Sequence, residues 1–175
     1  MNAEVIAIIY VLAAFFGMIV IFNGIFYGAM YTRIGKRRLK KIIELGKLHP
    51  SMTVYDLGAG FGRIMFEASK SGAHVVGYEI DRAKVYWIEQ QIKRKLMLQN
   101  TGLNVKIVHD NLLNADLSEA DVVYCYLAPG LMQKLGDKAA QEMKKGARII
   151  TVEHPIGGLK PVWQDILDKI YMYQF

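Results

Sequence analysis

Hydrophobic and polar positions divide the chain into two regimes. From Val5 to Phe22 every residue is apolar or glycine, and past Asn23 the run continues to Tyr31. A bilayer core needs about 20 such residues in a helix, so this stretch reads as one membrane-spanning anchor. The pattern then changes. Between Arg33 and Lys47 basic residues alternate with Leu39, Ile42, Ile43 and Leu45 at helical spacing, which predicts an amphipathic helix. Leu48-His49-Pro50-Ser51 breaks it. An apolar β-type run, Val54 to Leu57, enters a loop carrying Gly58, Gly60 and Gly62, then a helical stretch and a second apolar run, Val75 to Ile80. Asp81 stands where an N-cap belongs for a long helix reaching about Gln99, with Asn100-Thr101-Gly102 as its stop. Strands follow at Val105 to His109, Asp121 to Tyr126 and Ala147 to Val152, with a helix from Pro129 to about Lys145 between the last two. In the tail, Val162 to Leu167 and Ile170 to Phe175 flank Asp168-Lys169, which predicts an antiparallel hairpin at the sheet edge; a helix over 162–170 is the competing reading. Strands alternating with helices make this an α/β domain over 33–175, preceded by an anchor and juxtamembrane segment over 1–32.

Charge sharpens the reading of the first regime. Glu4 is the only acidic or basic side chain before Arg33, after which come Lys36, Arg37, Arg38, Lys40 and Lys41. A cleavable signal peptide would carry its cations first and a shorter apolar core. A buried helix of a soluble protein would not sit outside its domain. The basic flank keeps the domain on the cytoplasmic side by the positive-inside rule, so the expected location is the cell membrane, single-pass. The net charge of +6 would also suit nucleic acid, but the basic cluster is expected at the lipid surface instead, snorkelling toward anionic headgroups. Gly24 and Gly28 form a small-x-x-x-small pair that could allow helix pairing. Cys125 is alone, which excludes an internal disulfide and suits a reducing compartment. The four histidines, His49, His74, His109 and His154, show no metal-ligand spacing, and no metal is expected.

Candidate chemistry centres on the stretch from Val54 to Asp81. A strand, glycine loop, helix and strand, with Glu79 near the end of the second strand, is a nucleoside-binding unit. The glycines let backbone approach the ligand, and Glu79 can accept hydrogen bonds from both ribose hydroxyls. Which nucleoside follows from charge. A dinucleotide site presents bare amides to a pyrophosphate, and a neighbouring carboxylate would repel it. Asp56 stands two residues before the first glycine, and the spacing is G-x-G-x-G rather than G-x-G-x-x-G. An acidic group there suits a cationic ligand end, as in S-adenosylmethionine, whose ammonium lies near a sulfonium. Asp110, after the third strand, lies where an open α/β sheet binds ligands and could accept from an adenine amino group; capping of Asn111 to Asn114 is its alternative use.

With Asp56, Gly58, Gly60, Gly62, Glu79 and Asp110 in place, the region from about Arg33 onward resembles a class I S-adenosylmethionine-dependent methyltransferase. More narrowly it is similar to the FAM173 family of protein-lysine methyltransferases, through DLGAGFGRI, VVGYEID followed by a helix with Trp87, HDNL, VVYCYLAPGLM, ARIITVEHP and IYMYQF. The resemblance implies a Rossmann-like seven-stranded sheet with helices on both faces, here preceded by one transmembrane helix. It implies cofactor contacts at Asp56 and the glycine loop with Ala59 (methionine moiety), at Glu79 and Ile80 (ribose side) and at Asp110 and Asn111 (adenine side). It also implies that Gly28 to Thr32, with Tyr31 and Thr32, close over the site as a lid; Tyr27 and Tyr31 as interfacial aromatics is the other reading. Departures are Glu153-His154-Pro155, where relatives tend to have an aromatic before the proline, and Leu159 in place of tryptophan. No N-P-P-Y follows the fourth strand, which argues against adenine or glutamine N-methylation.

The expected activity is therefore methyl transfer, most specifically to a lysine of a membrane-associated protein. Tyr126, Leu127 and Pro129 are expected to wall the lysine channel, with Glu153 as a candidate proton acceptor. A lipid or small apolar acceptor, or a non-enzymatic nucleoside-binding module at the membrane, are the alternatives, because fold does not fix the reaction.

Overall fold

The computed structural model describes residues 2–26, 34–99 and 103–175. The chain divides into two compact units, 1–32 and 33–175. The first contains one helix, α1 (Ala3–Phe26). Tyr10, Val11, Leu12, Phe15, Phe16 and Met18, spread round most of its circumference, are all exposed. Side chains of this helix are described over 4–19, and among the described residues no helix is long and apolar enough to cross a membrane. The expected span over 5–31 runs beyond them. Gly28, Tyr31 and Thr32, hence the expected lid, and the Asn100-Thr101-Gly102 stop lie outside the described residues.

The second unit runs α2 (Lys36–Gly46), β1 (Thr53–Leu57), α3 (Arg63–Ala68), β2 (His74–Glu79), α4 (Arg82–Gln99), β3 (Val105–His109), β4 (Val122–Cys125), α5 (Pro129–Glu142), β5 (Arg148–Val152), β6 (Trp163–Asp165) and β7 (Ile170–Gln174). The strands form one seven-stranded sheet in the order β3-β2-β1-β4-β5-β7-β6. The first five are parallel, and β7 is antiparallel to both β5 and β6, so the tail is a hairpin. The parallel strands β1, β4 and β5 are nearly continuous apolar runs because both faces are covered. Leu39 and Ile42 of α2, Ile64 and Met65 of α3 and Ile88 of α4 pack one face. Met132, Leu135 and Ala139 of α5 pack the other. This is the Rossmann-like sheet with helices on both faces expected above. The chain order reverses between β1 and β4, which places a crevice at their carboxyl ends, where open α/β sheets bind ligands.

Boundaries shift locally. Helix α5 stops at Glu142 rather than near Lys145, because Met143 turns extended and packs against the core beneath it. Helix α2 starts at Lys36, after an extended Gly35. Ile42 is fully buried between α2 and the sheet. Ile42→Ala should therefore lower stability by about 2–5 kcal/mol, read as a drop in the denaturant midpoint at unchanged slope.

The basic cluster departs from expectation. Arg37 pairs with Asp168, Lys41 with Asp165 and Asp168, and Arg38 with Glu153 at 2.9 Å. Three cations assigned to lipid headgroups thus close onto the far end of the chain. The cause is topological: α2 lies against β5 and β7, and the Asp168 amide donates to Asp165 in the turn between β6 and β7. Asp168 is only 1% exposed, so its charge needs those partners. The same pairing raises the Lys41 ammonium above its ordinary range, Asp165 contributing most and Asp168 next.

Candidate functional site

The glycine loop after β1 is built to close on itself. The amides of Gly58 and Ala59 both donate to the Tyr78 carbonyl at 2.9 Å, and the Gly62 amide donates to the Ala59 carbonyl at 2.7 Å. The Gly60 amide donates to Glu79 Oε2 at 2.7 Å. Gly58 turns with φ +83, and a Cβ there would lie 2.8 Å from Leu127 Cδ2, so Leu127, two residues past β4, packs onto bare backbone. With these amides taken, none of the four is left for a pyrophosphate, which must be held by unpaired N–H groups. That supports the charge reading of Asp56 over a dinucleotide site.

Two carboxylates bracket the loop. Asp56 is 2% exposed, and its Oδ2 accepts from the Met65 amide at 3.1 Å in α3. Burial pushes its carboxyl up to about 7, with the Glu79 charge adding to the shift and the Met65 amide opposing it. Glu79, also buried, uses its second oxygen to accept from the Asp81 amide at 3.0 Å. Each carboxylate oxygen has a further lone pair, so the group can still accept from a ligand. A buried anionic pair of this kind is relieved by a cation, and the residues fit an adenosine derivative with a positively charged end.

Strand β3 adds the next group. The Asp110 amide donates to the Glu79 carbonyl at 3.2 Å, so the two residues meet across neighbouring strand ends. Asp110 Oδ1 accepts from the Asn111 amide at 2.6 Å and from Asn114 Nδ2 at 2.9 Å. The cap of the following 3₁₀ turn, Leu112–Asn114, is Asn111 itself, which accepts from the Leu113 amide. Asp110 thus steadies the turn without being its cap. Ile80 is partly exposed beside this edge.

Structure groups Asp56, Gly58, Ala59, Gly60, Gly62, Glu79, Ile80, Asp110 and Asn111 along the carboxyl edge of β1, β2 and β3. Tyr126, half-buried, packs with the cluster under α2 and α3, and Pro129 opens α5 exposed. Glu153 stands apart from its expected role. Its carboxylate is held by Lys169 and Arg38, which lower it below the usual range, and its backbone is left-handed at φ +73. A carboxylate so held is a poor proton acceptor; here it ties α2 to the turn before β7. Among the described residues, no group of three or more His, Cys, Asp or Glu could hold a metal ion.

Arg63 was not singled out by sequence. Its guanidinium donates to the Ile34 carbonyl, fixing the start of the second unit beside the glycine loop. The available signal was a cation in the first turn of a short helix, where the dipole disfavours it. Phe61 in the loop meets Trp87 of α4 edge to face, centroids 5.4 Å apart.

The family model described as the ANTKMT methyltransferase domain matches residues 56–163. Over 136 residues the chain is 30% identical to a protein-lysine N-methyltransferase of Saccharolobus islandicus, covering 75% of this chain and 80% of that protein. It is 26% identical over 150 residues to the adenine nucleotide translocase lysine N-methyltransferase of Mus musculus, covering 82% of this chain but only 62% of that protein. Among solved structures it is similar to an RNA methyltransferase from Salinibacter ruber in complex with S-adenosyl-L-homocysteine. The TM-score is 0.73 and the identity 29%, over 82% of this chain and 93% of the other.

Proposed function

The chain belongs to the ANTKMT methyltransferase domain family of S-adenosylmethionine-dependent enzymes, and from that premise we propose that it is a membrane-tethered protein-lysine N-methyltransferase. The observation that carries the cofactor half of this reading is the buried pair Asp56 and Glu79 on either side of a loop whose amides are already paired. The lysine half is supported by the names of the Saccharolobus and mouse relatives.

S-adenosylmethionine, when bound, supplies a methyl group on a positively charged sulfur. Asp56 takes up positive charge at the methionine end. Glu79 accepts from the ribose, and Asp110 serves the adenine. Leu127 seals the loop side, and Tyr126 orients the entering amine. The enzyme's work is to hold both partners in line. Because Glu153 is engaged, loss of the lysine proton falls to desolvation, which lowers an ammonium pKa. Tyr31 and Thr32 are assigned to a lid on the family resemblance alone.

The anchor rests on the uncharged run over 5–25, which must end there if Tyr31 and Thr32 form the lid, and on α1 exposing apolar side chains round most of its surface. The catalytic unit is assigned to the cytoplasmic side. Ion pairing of Arg37, Arg38 and Lys41 in the folded unit does not undo that assignment, because the rule counts cations near the span rather than net charge. A tether also raises the effective concentration of acceptors confined to the membrane.

Incubating the chain with membranes and a labelled methyl donor, then separating protein, lipid and RNA, tests the substrate class. Label should enter protein, on lysine by mass spectrometry. Label in lipid favours the lipid reading, and label in RNA the activity that the Salinibacter likeness names. Tyr126→Phe should lower kcat roughly tenfold with cofactor affinity unchanged; an unaltered kcat would leave orientation to the ring alone.

A further inference from the structure

The turn joining β6 to β7 carries two large aliphatic side chains where a turn ordinarily carries polar ones: Ile166 is 64% and Leu167 91% exposed. Single exposed aliphatics are common on any surface, so position is what matters here. Val152 at the carboxyl end of β5 pairs with Ile170, which puts this turn at the carboxyl edge of the sheet, the edge that holds Asp56 and Glu79. The first turn of α2 lies at the same edge, because Arg37 reaches Asp168 and Arg38 reaches Glu153 just past β5. Ile34, three residues after the apolar run ends, is fixed there too, through Arg63.

Charge distinguishes the occupant. Asp165 and Asp168 flank the two aliphatics, and both turn inward onto Lys41, with Asp168 also on Arg37. Outward, the turn offers Ile166 and Leu167. Arg37 is paired with Asp168 and Lys169 with Glu153, yet the cations of this corner (Lys36, Arg37, Arg38, Lys41 and Lys169) outnumber its acids (Asp165, Asp168 and Glu153), so a net positive charge remains, with Lys36 and Lys169 exposed and Arg37 keeping 80% of its side chain in solvent. Apolar tips on a corner of net positive charge match the interfacial layer of an anionic bilayer, where aliphatics enter the acyl boundary and the excess cations meet headgroups.

We propose that the Ile166–Leu167 turn, with the basic first turn of α2, is a second membrane contact that inserts into an anionic bilayer surface and turns the cofactor edge toward the membrane. This rests on the tether proposed above, and it goes further by fixing which edge of the enzyme faces lipid. Acceptor lysines at the headgroup level then reach the site without leaving the membrane.

The test uses the full chain reconstituted in phosphatidylcholine vesicles with or without phosphatidylglycerol. Leu167→Cys carries a polarity-sensitive fluorophore. Met97→Cys, 84% exposed near the end of α4 and thus toward the opposite sheet edge, is the control. Cys125 is buried and stays unlabelled. The expected result is a blue-shifted Leu167 probe, quenched by brominated acyl chains and more so with phosphatidylglycerol, beside a water-like Met97 probe. A water-like Leu167 probe on protein that floats with the vesicles overturns the second contact and leaves the tether standing. Failure to float overturns both. A blue shift without vesicles assigns the turn to a second copy of the chain and also overturns the proposal.

Discussion

Asp56→Asn should bind S-adenosylhomocysteine roughly 10- to 150-fold more weakly than the parent chain, yet unfold at a higher temperature above pH 7. The first effect is the loss of a charge-assisted contact to the ligand's ammonium, worth about 1.5–3 kcal/mol. The second follows from the raised carboxyl. An ordinary aspartate here would titrate at 3.8, whereas burial first, and the Glu79 charge after it, push Asp56 up to about 7. Between those values the folded chain holds a proton that the unfolded chain has released. Stability therefore falls as pH rises through that window and stays at its reduced level above 7. The full penalty is on the order of 4 kcal/mol, and a neutral asparagine avoids it. In the parent chain a cationic ligand favours the ionised form, so affinity should rise from pH 6 to 8 and then level. Calorimetry below pH 7 in buffers of different ionisation enthalpy should register proton release on binding. Equal affinity of the asparagine variant and the parent at pH 8 would remove Asp56 from the site.

Glu79→Ala should be the most damaging change at the nucleoside end, because it affects fold and ligand together. Its two oxygens hold the Gly60 and Asp81 amides at 2.7 and 3.0 Å. Removing them orphans two backbone donors, at a cost of about 1–3 kcal/mol, and frees a loop whose Gly60 sits at φ +57. Loss of the ribose contacts adds a further drop of roughly 100-fold or more in affinity for the adenosine moiety. Glu79→Gln discriminates between the roles. A carboxamide can accept through one oxygen only, so one amide stays satisfied while its NH₂ faces the other N–H. Glutamine should keep more of the denaturant midpoint than alanine does, and still bind adenosine ligands poorly. If both variants bind as the parent does, Glu79 is a loop latch and nothing more.

Local chemistry made much of this legible in the sequence. Glycines at fixed offsets after an apolar run, Asp56 before them and Glu79 at the next strand end announce themselves within thirty residues, and the hairpin followed from two apolar runs around Asp168-Lys169. What stayed hidden depends on contacts between distant residues. Arg37, Arg38 and Lys41 read as lipid-facing cations because their acids lie more than a hundred residues away. Glu153 read as a free carboxylate because Arg38 meets it only once α2 lies against the sheet, and Lys169 only once β7 pairs with β5. The closure of the loop amides on Tyr78 and Glu79 was equally hidden, because backbone pairing leaves no trace in residue types.

Isothermal titration of the chain with S-adenosylhomocysteine and, separately, with NADH asks most directly whether this loop receives a cationic adenosine derivative. A saturable one-to-one heat with S-adenosylhomocysteine and none with NADH is the expected result. Heat with NADH, or none with S-adenosylhomocysteine, would contradict it.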